Sequence, residues 1–236
     1  MINTHTRTLN LLTELQKTIP DFNVKYKNQS LFIKIIGFIL FFNKQFMTDY
    51  ITTIGSTVYF PTIDFFEKDP VLSQEILTHE FVHALDRKHN SFFQFLYLFP
   101  QILAPIFIIL FFFLPSLVNL SSLVIAIICL LPIIPAYWRS NYELRGYQMS
   151  LFSDSELMKE LGVSTDQYNL TLSNNVKFIN EQFISSDYYW MNRSGVQNQL
   201  LLTVNKIKND SIINDDPSYS IVRLALKNSL IKAVNG

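Results

Sequence analysis

The sequence predicts an α+β protein, with a small amino-terminal β-sheet followed by helices to the carboxyl end. Three observations lead there. Residues 22–60 are rich in β-branched and aromatic side chains, with stretches of alternation. From Asp69 onward the apolar residues fall at helical spacing around His79-Glu80-Phe81-Val82-His83. Between Lys88 and Arg139 there is no Asp, Glu, Lys or Arg, although 16% of the chain is charged.

Taken in order, Leu9, Leu12, Leu15 and Ile19 mark a short amphipathic helix over residues 5–19, ended by Pro20. Met1 to Lys17 lacks the apolar run of a signal peptide, so cleavage and secretion are not expected. Phe22, Val24 and Tyr26 alternate with polar residues and read as a strand. The run Leu31–Phe42 reads as a buried strand pair, too short to cross a bilayer and interrupted by Lys34. Phe46–Phe60 reads as a further strand ending at Pro61, with a free edge that can pair with an extended peptide. Asp69 as cap and Pro70 at the first position then open a helix to about Lys88.

That helix carries the chemistry. Residues four apart share a helix face, so His79 and His83 can aim imidazole nitrogens at one metal, and Glu80 can hold a water that the metal polarises. Two imidazoles and a carboxylate among apolar neighbours are costly to bury without a partner, which favours a metal site over incidental core histidines.

Residues 92–138 read as an apolar helical hairpin that inserts into or crosses a membrane. Its runs are Phe95–Leu114 and Leu123–Trp138, with a turn at Pro115–Ser122, and Tyr97, Tyr137 and Trp138 stand as an aromatic belt. Arg87, Lys88, Arg139 and Arg145 flank it, which places the segments 1–91 and 139–236 in the cytoplasm and makes the lipid bilayer a partner. After it, residues 136–151 read as a helix. Helical spacing recurs at 176–184, 196–207 and 220–233, with starts at Ser164-Thr165-Asp166 and Asp215-Asp216-Pro217.

Charge and cysteine content narrow the function. Lys plus Arg equals Asp plus Glu at 19 each, which gives no reason to propose nucleic acid as a partner. The single Cys129 excludes an intramolecular disulfide.

Two histidines leave a catalytic zinc one protein ligand short. His89 follows His83 by six residues, the metzincin spacing, with Asp86 where a glycine turn is usual. Glu143, on the helix after the hairpin, is the competing candidate. Asp86 can also accept a hydrogen bond from His83 or pair with Arg139 or Arg145. Tyr147, one turn after Glu143, can donate to a developing oxyanion or simply pack in the core.

His79–His83, Tyr97-Leu-Phe-Pro100 and Trp138-Arg-x-x-Tyr-Glu-x-x-Gly-Tyr147 together resemble a group of small gluzincin-like proteins of bacteria and phages, predicted zinc metallopeptidases. The resemblance covers residues 46–151 and departs at Gly146, where Ala is usual, and at Arg145, where an acidic residue is common. It implies a minimal zincin-like core, with His79, His83 and Glu143 as zinc ligands, Glu80 as general base and a peptide or protein as substrate. The competing readings are a membrane-anchored structural or assembly protein that keeps the fold without activity, and a peptidase whose apolar hairpin binds a partner.

Overall fold

The computed structural model describes residues 4–39, 44–113, 116–130, 137–184 and 193–235. Helix α1 (Thr4–Gln16) leads through a turn to strand β1 (Asn23–Tyr26), helix α2 (Leu31–Ile39) and the hairpin β2 (Thr52–Ile54) and β3 (Thr57–Phe60). Helices α3 (Ile63–Lys68), α4 (Pro70–His89), α5 (Phe93–Leu98), α6 (Ala104–Phe113) and α7 (Ser116–Leu130) follow. The chain ends in α8 (Tyr137–Glu160), α9 (Thr165–Ile184), α10 (Val196–Lys208) and α11 (Pro217–Asn235). The α+β class stands, with helix dominant and one three-stranded sheet among the described residues.

Helix α4 begins where its caps require. Asp69 accepts a hydrogen bond from the Leu72 backbone N–H at 3.0 Å, and Pro70 occupies the first turn. It packs along α8, and α1 lies against both α4 and α11. One apolar core joins the amino- and carboxyl-terminal segments: Leu11, Leu15, Phe22, Phe60, Leu77 and Phe81 meet Phe152, Phe183, Val222 and Leu226. The buried stripe of α1 runs through Leu11 and Leu15 and is continued by Ile19 in the turn after the helix, which ends at Gln16 and not at the expected residue 19, while Leu9 is 45% exposed and Leu12 is half-buried. Burying each such leucine contributes roughly 2 kcal/mol.

Four expectations change. Residues 31–39 form a helix, not half of a strand pair; residues 40–42 lie outside the described set. An apolar run broken only by Lys34 has no alternation to distinguish strand from helix. Ser30 Oγ accepts from the Ile33 N–H at 3.3 Å, and Ile33 and Ile36 turn inward at i, i+3 spacing. Residues 46–60, expected as one strand, are a turn and a hairpin. The buried Lys27 ammonium donates to the Phe46 and Tyr50 carbonyls at 2.6 and 2.7 Å, holding residues 46–50 out of the sheet. Gly55 turns β2 into β3 at φ +69.

The strand preceding α3 and α4 also has no free edge. The order is β1-β3-β2, with β1 parallel and β2 antiparallel to β3, so β3 is central and β2 is the edge strand.

Finally, the described residues of the apolar segment do not form the membrane-spanning helices expected of them. No helix among the described residues is long and apolar enough to cross one. Proline is the reason: α5 stops at Leu98 before Pro100, and α6 restarts only at Ala104 with Pro105 in its first turn. Over their described residues, ten and fifteen, α6 and α7 reach about 15 and 22 Å, against a hydrocarbon core of about 30 Å. The multi-pass arrangement with cytoplasm-facing parts falls with that finding, as does the aromatic belt. Tyr97 turns its hydroxyl to Glu143, and Trp138 packs edge-on against Phe99 at 5.3 Å. Helices α6 and α7 do pack on each other, burying Ala104, Ser122, Ala126 and Cys129. Residues 114, 115 and 131–136 lie outside the described set.

Glu14 gives a test of how α1 and α11 are joined. Its carboxylate, 3% exposed, lies 2.6 Å from both the Lys17 and the Lys232 ammonium and accepts from Asn228 at 3.1 Å. Burial opposes its ionisation, but these cations and hydrogen bonds prevail and hold it at about 2. A folded value below the unfolded one contributes stability above the unfolded carboxylate range, lost as pH falls through the folded value. Glu14→Gln should lower unfolding free energy by about 2 kcal/mol at pH 7, a figure reduced for the exposed lysines. Denaturant titrations should show that difference shrinking steadily from pH 5 to pH 3.

Candidate metal centre

Helices α4 and α8 bring three side chains to one point. His79 Nε2 lies 3.1 Å from His83 Nε2 and 3.4 Å from Glu143 Oε2, and His83 Nε2 lies 3.9 Å from the same oxygen. The side chains are 12%, 6% and 8% exposed. A point equidistant from these three atoms lies about 2.0 Å from each, the length of a zinc bond to imidazole nitrogen or carboxylate oxygen. The group can hold a metal ion.

The approach of the two helices depends on Gly146. A Cβ placed there would sit 2.5 Å from His79 Nε2 and 2.7 Å from His79 Cε1, so the His79 ring rests on bare backbone. Behind it, His79 Nδ1 lies 3.3 Å from Ser150 Oγ. Tyr147 stands edge-on to the same ring at 4.9 Å and to Phe183 at 5.8 Å.

Tyr97 completes the surround. Its hydroxyl donates a short hydrogen bond to Glu143 Oε1, and its ring lies 5.9 Å from that of His83. Arg139 Nε donates to the Tyr97 carbonyl at 3.0 Å. The sequence does not set Tyr97 beside Glu143, because it sits in an apolar run that reads as membrane; its place in the Tyr-Leu-x-Pro segment is the signal that marks it.

Charge is distributed accordingly. Burial opposes ionisation of Glu143, yet the His79 hydrogen bond, the charges of His83 and His79 and the Tyr97 phenol hold it at about 2. Burial also pushes His79 down, but the Glu143 hydrogen bond and the charges of Glu80, Glu143 and Glu75 raise it overall. At His83 burial prevails and the imidazole is lowered, so its nitrogen lone pair is available. Burial, reinforced by Glu143, raises the Tyr97 phenol well above its ordinary value and keeps it a donor.

The other candidates separate clearly. His89 is exposed at the end of α4 and does not join the cluster. The helix runs on through Asp86, so six residues carry His89 to another face. Asp86 pairs with Arg145, which also bonds Asp216 with Nε at 3.0 Å. His83 Nδ1 is buried without a hydrogen-bond partner.

A cavity of about 900 Å³ opens over the cluster. Glu80, Tyr147 and Arg139 line it, the edge strand β2 forms one wall, and Ile36, Phe46 and Ile51 supply apolar surface.

A second buried acid lies behind the cluster. Burial pushes Asp154 up to about 8, the charge of Glu75 adds to it, and the Asn175 hydrogen bond at 2.7 Å opposes it. A folded value above the unfolded one contributes stability at low pH that is lost as pH rises toward the folded value. The melting temperature should therefore fall between pH 5 and pH 8.5, and Asp154→Asn should flatten that fall. A separate outcome follows from Gly146: its replacement by Ala should leave the melt near wild type but displace His79 and weaken binding of an added divalent metal at least ~10-fold, read by chelator competition.

No protein-family model, curated protein or solved structure matches the chain.

Proposed function

We propose that this chain is a zinc-dependent metallopeptidase built on a minimal zincin-like core of the gluzincin type. The observation that carries the reading is the convergence of His79 Nε2, His83 Nε2 and Glu143 Oε2 beneath a cavity that Glu80 also lines. Two imidazoles and one carboxylate from a separate helix are the donor set of a hydrolytic zinc site with one position left open. Zinc bound there supplies Lewis-acid polarisation of a water and of the scissile carbonyl.

The chain's own residues do the rest. Glu80, next to His79 on α4, takes the proton from the attacking water and later delivers it to the leaving amine. Tyr147, beside His79 on the cavity wall, donates to the carbonyl oxygen as charge develops there. Among the described residues strand β2 pairs only with β3, so its other edge offers Thr52–Ile54 backbone groups to an extended peptide. An edge strand against a cavity that holds the metal ligands favours a peptide over a compact substrate.

Glu80→Gln separates binding from turnover. The variant should retain zinc at the wild-type ratio and lose at least ~100-fold in hydrolysis of a denatured protein substrate, followed by peptide release. Undiminished turnover would contradict the assignment.

A further inference from the structure

Glu143 gives its two oxygens to different partners. Oε2 faces the imidazoles, 3.4 Å from His79 Nε2 and 3.9 Å from His83 Nε2, whereas Oε1 accepts from the Tyr97 hydroxyl. Tyr97 comes from α5, outside the two ligand-bearing helices. It is fixed from behind by Arg139, one helical turn before Glu143 on α8. Arg139 Nε donates to the Tyr97 carbonyl at 3.0 Å, and its guanidinium carbon lies 5.2 Å from the Tyr97 ring centroid. Phe93, 5.6 Å away, closes the ring's other surround.

A carboxylate can bind a metal through one oxygen or through both. Binding through both fills a further coordination position, and a hydrolytic site needs that position for water. A hydrogen bond to one oxygen ties the carboxylate to the other, and it fixes the plane in which that oxygen presents its lone pair.

We infer that Tyr97 is a positioning residue: its hydroxyl holds Glu143 Oε1 so that a metal meets Oε2 alone, and Arg139 locks Tyr97 in that pose. The inference rests on the metal reading of the His79–His83–Glu143 cluster and adds the mode in which Glu143 ligates. It also assigns work to α5 and to Arg139, which the hydrolytic scheme leaves without a role. The Tyr97 hydroxyl, engaged with Glu143, acts on the reaction only through that ligand.

The test uses the full chain loaded with Co(II), whose visible absorption reports coordination number. Tyr97→Phe removes only the hydroxyl. Co(II) affinity, measured by competition with a chelator, should fall ~10- to 100-fold. The visible bands should weaken, as expected when a second carboxylate oxygen raises the coordination number. If Tyr97→Phe loses its fold by circular dichroism, Arg139→Lys decides the matter. It keeps the charge, removes the Nε contact to the Tyr97 carbonyl, and should alter the same spectrum in the same direction. Wild-type protein that binds Co(II), with variant affinity and spectrum unchanged, would overturn the positioning role and leave the metal site standing. Wild-type protein that takes up no Co(II) would overturn both.

Discussion

The packing of α8 against α4 is the contact on which the site depends. It sets the Glu143 carboxylate between two imidazoles in a place nearly closed to water. A lone carboxylate is costly to bury, and this one is held by His79, His83 and Tyr97 together. Helices can approach so closely only where a side chain is missing, and Gly146 provides that gap under the His79 ring. The ion pair from Arg145 to Asp86 ties the same two helices one turn further along.

The layers around this pair serve it in different ways. The shared apolar core, from Leu11 to Leu226, fixes the helices as one body. Lys27 draws residues 46–50 away from the sheet, and that leaves β2 at the edge facing the cavity. Helix α5, cut short by Pro100, turns Tyr97 toward Glu143 instead of continuing outward. The apolar pair α6 and α7 leaves Ile106, Ile109, Phe112 and Phe113 exposed.

How much of this could be read from the sequence varied with the kind of signal. His79 and His83 were legible because a four-residue spacing has one meaning on a helix. The start of α4 was legible from Asp69-Pro70, and those of α9 and α11 from Ser164 and Asp216. Glu143 required the resemblance to choose it over His89, because nothing in a linear spacing tells how two helices cross. Helix α2 was hidden by β-branched residues, whose strand preference is weak beside tertiary packing. The apolar segment reads as membrane because hydropathy counts residues but not the break at Pro100 between α5 and α6. Gly146 reads in the sequence as a small departure from the resembled pattern and proves to be the surface on which the His79 ring rests.

The central claim is that α4 and α8 together present two imidazole nitrogens and one carboxylate oxygen to a single zinc. X-ray absorption at the zinc edge of the metal-loaded full chain tests it most directly. The account predicts one zinc per chain with a first shell of light atoms at about 2.0–2.1 Å and the multiple-scattering signature of two imidazoles. Zinc lost on desalting, a shell with one imidazole, or a sulfur ligand at about 2.3 Å would contradict it.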